Sequence, residues 1–133
     1  DVLGSRGLGD VYKRQIYVRM GAHTLIHKRT EDDIWKNLFE LPLVETEKDL
    51  SEEEFLACPQ FHALFAEGEV RMVRILLRGV KHVLSHRVIY TNFYEVTLPD
   101  NSSSFSSYQR VAVEDLDRYA VPRLIHAFLE KYV

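Results

Sequence analysis

Val70-Arg71-Met72-Val73-Arg74-Ile75-Leu76-Leu77-Arg78-Gly79-Val80-Lys81-His82-Val83-Leu84-Ser85-His86-Arg87-Val88-Ile89-Tyr90-Thr91-Asn92-Phe93-Tyr94-Glu95-Val96-Thr97-Leu98 is the stretch on which the fold turns. It is dense in Val, Ile, Thr and Tyr, the residues that suit a pleated surface, and predicts strands over Val70–Leu77, Lys81–Leu84 and His86–Leu98. Between Val70 and Tyr94 it holds five Arg or Lys, two His and no carboxylate, a local net of +5 in a chain whose formal net charge is −3. A cationic patch on an acidic chain points to a polyanionic partner, and the same charges also suit a solvated strand face. Both readings stand on these residues alone.

Working outward, the upstream half is acidic. Glu31–Glu54 contains ten carboxylates against Lys36 and Lys48, a local net of −8. Ser51 followed by Glu52-Glu53-Glu54 predicts a helix start, with a hydroxyl cap and carboxylates at the positive end of the helix dipole, stopping before Pro59. Phe61, Leu64 and Phe65 predict a second short helical face that ends near Gly68. Asp32–Pro42 suggests one helical turn before an extended Leu38–Val44, and Pro42 ends any helix there. Ile16–Met20 and His23–Arg29 read as a hairpin around Gly21-Ala22.

Downstream, Pro99-Asp100-Asn101 and the serines to Ser107 form a polar loop, and Gln109–Val113 predicts a last strand. Glu114-Asp115-Leu116-Asp117 reads as a turn. Pro122 opens a terminal helix whose apolar face is Leu124, Ile125, Phe128 and Leu129. Five or six strands with three short helices give an α+β layered domain without internal repeats.

Composition narrows the function. At 133 residues and 46% hydrophobic, the chain has room for one domain with an adequate core. No apolar run is long enough to span a membrane, so no membrane partner is expected. A single cysteine, Cys58, excludes an internal disulfide and a cysteine-based zinc or iron–sulfur site, fits a reducing compartment, and suits packing. Residues 1–15, with Gly4, Gly7 and Gly9 and no periodicity, resemble translated sequencing-adapter read-through. They are set aside from the functional reading as a non-native leader, and residues 16–133 are taken as the domain.

Candidate sites cluster around Leu84-Ser85-His86, set between apolar runs at an expected strand break. There a Ser hydroxyl and backbone N–H groups can present donors and acceptors to a purine edge, and an imidazole can add a donor to base or phosphate. The same groups can equally satisfy the local backbone. His82 and His86 lie four apart, a spacing that does not converge on a strand, and no Glu supplies a zinc motif. Ser85 and His86 lack a nucleophile elbow. No catalytic, cofactor-binding or metal-ligating residue is therefore assigned. Trp35 suits a core, and Tyr90, Phe93 and Tyr94 suit a half-buried strand better than a base-stacking platform.

Three motifs in order resemble the C-terminal domain of adenine DNA glycosylases, enzymes that remove adenine mispaired with 8-oxoguanine. They are Lys28-Arg29-Thr30-Glu31-Asp32-Asp33-Ile34-Trp35-Lys36-Asn37-Leu38-Phe39-Glu40-Leu41-Pro42-Leu43-Val44-Glu45, Lys81-His82-Val83-Leu84-Ser85-His86, and Tyr119-Ala120-Val121-Pro122-Arg123-Leu124-Ile125. The resemblance spans Ile16 to Val133. It implies a Nudix-like fold, recognition of 8-oxoguanine by Ser85 and His86, and backbone contacts from Lys81, His82 and Arg87. Leu84 replaces the family's Phe and still fills an apolar slot.

The implied partners are double-stranded DNA carrying 8-oxoguanine:adenine and the enzyme's own N-terminal catalytic domain. That domain would hold the [4Fe–4S] cluster, whereas no cofactor is expected in this fragment. The setting implied is the DNA-associated cytoplasm of a bacterium. A Nudix-type pyrophosphatase is the rival, though Ser51-Glu52-Glu53-Glu54-Phe55 lacks the Arg-Glu step and trailing Gly that such an enzyme needs to hold Mg²⁺. A protein-interaction domain using the acidic Glu31–Glu54 face is a third possibility.

Overall fold

The computed structural model describes residues 10–30, 36–66, 68–84, 87–102 and 107–132, with the side chain of Leu84 excepted. Seven strands fall within them: β1 (Val11–Arg19), β2 (His23–Lys28), β3 (Phe39–Glu40), β4 (Leu43–Thr46), β5 (Met72–Leu84), β6 (Arg87–Thr97) and β7 (Gln109–Ala112). Helices α1 (Glu52–Ala57), α2 (Pro59–His62) and α3 (Arg123–Tyr132) complete the domain, with a 3₁₀ turn at Val113–Arg118. One sheet runs β4-β1-β6-β5 and a smaller antiparallel sheet runs β3-β2-β7. The fold is α+β, as the strand and helix patterns imply.

β1 lies parallel to β6 from Val11↔Ile89 to Arg19↔Thr97, and β4 and β5 flank them antiparallel. Because strand side chains alternate, the central pair feeds two cores. Ile16, Val18, Tyr94 and Val96 face Phe55 of α1 and Phe61 of α2. Tyr17 and Phe93 face the second sheet and α3, where the Phe93 and Phe128 rings stack with centroids 4.2 Å apart. Phe93 and Tyr94 are thus core residues, and neither is available as a stacking platform.

Local chemistry accounts for the helix ends. The Ser51 hydroxyl accepts from the Glu54 N–H at 3.1 Å and the Glu54 carboxylate accepts from the Ser51 N–H at 2.9 Å, a complete capping box. These bonds hold the Glu54 carboxyl below the usual range, with the Ser51 backbone bond the largest cause. The stabilisation they give is present at neutral pH and fades as pH falls through that lowered value. α1 stops at Ala57 before Pro59, and the Pro122 carbonyl accepts from His126 N–H as the terminal helix begins.

Several expectations need correction. Ile16–Met20 and His23–Arg29 do not form a paired hairpin: only Met20↔His23 bridges them, after which β1 and β2 diverge into different sheets because each has partners from distant sequence. Val70–Leu77 and Lys81–Leu84 are one strand, β5, whose two bulges interrupt its register without ending it. The turn at Glu114–Asp117 is a 3₁₀ helix. Val11–Gln15, placed outside the fold by sequence, form the first half of β1, where Arg14 and Gln15 are buried against long-range partners. Trp35 and the adjoining Glu31–Ile34 lie outside the described residues.

Phe93 is fully buried between the sheets. Phe93→Ala should cost about 3–5 kcal/mol, read as a lowered midpoint in urea unfolding.

Candidate nucleic-acid interface

β5 and β6 are long for their sheet and form a hairpin whose last pairs are Val83↔Val88 and Leu84↔Arg87. Leu84 therefore ends β5 and Arg87 begins β6. Ser85 and His86 themselves lie outside the described residues. Lys81, His82 and Val83 are exposed, Val83 at 65%, and so is Arg87.

The structure redistributes the cationic stretch. Arg74 Nε donates to Glu95 Oε1 at 2.9 Å, and Arg19 approaches the same carboxylate at 3.4 Å. Arg78 pairs with Glu52 of α1. Arg74 and Arg78 thus serve the body of the domain, and the charge nearest the tip is that of Lys81 and Arg87. Two of the cations in the Val70–Tyr94 stretch are thus engaged by carboxylates of the domain itself.

Beneath the distal hairpin lies a cavity of about 110 Å³, lined by Gln15, Arg29, Glu40, His82, Thr91 and the start of α3. Glu40, on β3, is largely buried and accepts from Arg29 Nη1 at 2.7 Å, while His27 Nε2 lies 2.8 Å from its other oxygen. The His27 ring meets Tyr108 edge to face at 4.5 Å, and burial, followed by the nearby Glu40 charge, raises the Tyr108 hydroxyl above its ordinary pKa. Gln15 Oε1 and Thr91 Oγ1, both buried, have no hydrogen-bond partner among the described residues. Orphaned buried polar atoms are costly, and here they line a space that water or a ligand can fill.

Sequence reading missed this cavity. Its signals were a lone carboxylate in the apolar run Phe39-Glu40-Leu41, and Gln15 within a segment set aside as leader. Arg29 and Thr91 carried no signal of their own: only pairing across both sheets brings them together.

Two of the three α1 carboxylates have structural partners: Glu54 closes the capping box and Glu52 meets Arg78. Among the described residues no three His, Cys, Asp or Glu converge as a Mg²⁺–diphosphate centre needs.

The profile of the NUDIX domain family matches residues 15–131. The chain belongs to the NUDIX domain family. No curated protein sequence matches it. Among solved structures, it is similar to the C-terminal domain of mouse MUTYH in its complex with human PCNA, with TM-score 0.71 and 14% identity over 92% of this chain and 86% of that one. It is also similar to the MutT protein of Methanosarcina mazei Go1, with TM-score 0.62 and 17% identity over 92% of each chain. The solution structure of the E. coli ORF135 protein gives TM-score 0.60 and 14% identity, over 93% of this chain and 89% of that one. At these identities the likeness concerns the NUDIX fold. No helix among the described residues is long and apolar enough to cross a membrane.

Removing the Glu40 carboxylate would leave Arg29 and His27 without their shared acceptor. Glu40→Ala should cost about 3 kcal/mol of stability by urea denaturation, the lower end for breaking a buried pair because His27 is partly exposed.

Proposed function

We propose that this chain is the 8-oxoguanine-reading, DNA-binding module of an adenine DNA glycosylase acting on 8-oxoguanine:adenine mispairs, with excision performed by a separate helical domain that carries the [4Fe–4S] cluster. The observation that carries this reading is the β5–β6 hairpin, whose last pair is Leu84↔Arg87, with Lys81, His82 and Arg87 exposed near it. On this reading the cations hold the phosphate backbone while Ser85 and His86 meet the oxidised base, whose 8-oxo group adds an acceptor and whose N7–H adds a donor. Engagement of the α1 carboxylates in the cap and the Arg78 pair supports recognition over hydrolysis.

The test is fluorescence anisotropy with duplexes carrying 8-oxoguanine:adenine or guanine:adenine, in the 133-residue chain and in a fusion to a glycosylase catalytic domain. The wild-type module should prefer the oxidised duplex, and affinity should fall with salt as phosphate contacts are lost. Ser85→Ala should remove about 1–3 kcal/mol of that preference. Lys81→Ala should weaken both duplexes alike and flatten the salt dependence. Release of adenine by the chain alone would contradict the division of labour proposed here.

A second reading rests on the cavity. The buried Gln15 and Thr91 side-chain oxygens, without partners among the described residues, offer acceptors there to a donor on a purine edge. Mg²⁺-dependent turnover of 8-oxo-dGTP would establish a NUDIX pyrophosphatase in place of the DNA reader. Partner binding that resists salt, with no DNA binding, would point instead to an interaction domain.

A further inference from the structure

β5 and β6 do not keep one register along their length. Passing from Ile75↔Tyr94 to Leu77↔Phe93 adds one residue on β5, and passing from Leu77↔Phe93 to Val80↔Thr91 adds another. Gly79 lies in the second step with φ +64°. An extra residue beside a left-handed glycine is a bulge that sharpens the local twist of a strand pair. A Cβ at Gly79 would meet nothing within 4 Å, so the glycine answers to backbone angle and not to crowding.

The bulge removes the Gly79 N–H from the regular ladder, and a side chain takes it up: it donates to Asn92 Oδ1 at 2.7 Å. Asn92 sits on β6 between the residues paired on either side of the bulge. One amide therefore bridges the two strands at the point where their register shifts.

The two sides of this joint differ. On the body side, Arg74 is tied to Glu95 and Arg78 to Glu52. On the tip side, Lys81, His82 and Val83 stand exposed on an edge strand. The direction in which the tip points thus depends on the geometry at Gly79 and Asn92.

We infer that Asn92 is a positioning residue: by holding the Gly79 bulge it fixes the twist at which the distal strands, Val80–Val83 and Val88–Thr91, leave the body of the sheet, and so sets the preference for an oxidised guanine. The link to base preference rests on the proposed function, whereas the joint itself does not.

The experiment compares the full 133-residue wild-type chain with Asn92→Ala and Asn92→Asp, the latter keeping an acceptor oxygen at the same place. By hydrogen exchange, Val80–Val83 and Val88–Thr91 should exchange about tenfold faster in Asn92→Ala, while Met72–Ile75 and Val96 keep wild-type rates, because only the distal unit is loosened. The same variant should lose about fivefold of its preference for the 8-oxoguanine duplex, since base readout needs an aimed donor. Its affinity for undamaged duplex should stay within about twofold, since the cations remain. Asn92→Asp should restore both properties.

Unchanged exchange in the distal hairpin, or acceleration spread evenly over the chain, would overturn the joint. A preserved base preference, or equal loss of affinity for both duplexes, would overturn its role in readout. If the wild-type chain shows no preference for oxidised guanine, the functional reading fails, and the exchange rates alone decide whether Asn92 positions the tip.

Discussion

The parallel pairing of β1 with β6 is the constraint from which the remaining structure follows. Both strands are buried on two faces, so their register allots every side chain to one core or the other. Phe93 goes to α3 and the second sheet, while Tyr94 and Val96 go to the helices. A slip by one residue would exchange those faces and turn Glu95 away from Arg19 and Arg74. Parallel strands cannot be joined by a tight turn, so the chain must travel a long way between them. β2 through β5 and both short helices occupy that excursion, and β5 returns to pair along the outer edge of β6.

That return explains how charge is used. The sequence segregates cations and carboxylates into separate stretches, and the fold brings them back together where β5 passes α1 and β6. Glu95 and Glu52 take the arginines nearest the body of the domain. Lys81 and Arg87, near the end of the hairpin, are exposed where the proposed contact to DNA would occur. Net charge along the sequence overstates the cationic surface because it cannot see these pairings. The Arg78 pair and the capping box likewise give Glu52 and Glu54 of α1 structural roles.

The hairpin and the cavity share residues, since His82 and Ile89 belong to both. The buried Glu40 pairings hold the cavity floor, while the bulge at Gly79 governs the strands above it. One NUDIX scaffold thus offers a rigid pocket and an aimed edge, and the two functional readings differ in which of these meets the oxidised purine.

Features set by near neighbours were determined by the sequence itself. The capping box at Ser51 and Glu54, the stop before Pro59, the start of α3 after Pro122 and the strand character of Arg87–Thr97 each depend on residues a few positions apart. The break between Leu84 and Arg87 was legible for the same reason. Tertiary structure alone decided that Val11–Gln15 join the central strand, that β1 and β2 part company after Met20, and that Arg74 and Arg78 face carboxylates far away in sequence. It alone assembled Gln15, Arg29, Glu40 and Thr91 around one cavity, and tied Gly79 to Asn92. Those arrangements arise from the register between strands distant along the chain, and no local pattern of side chains encodes that register.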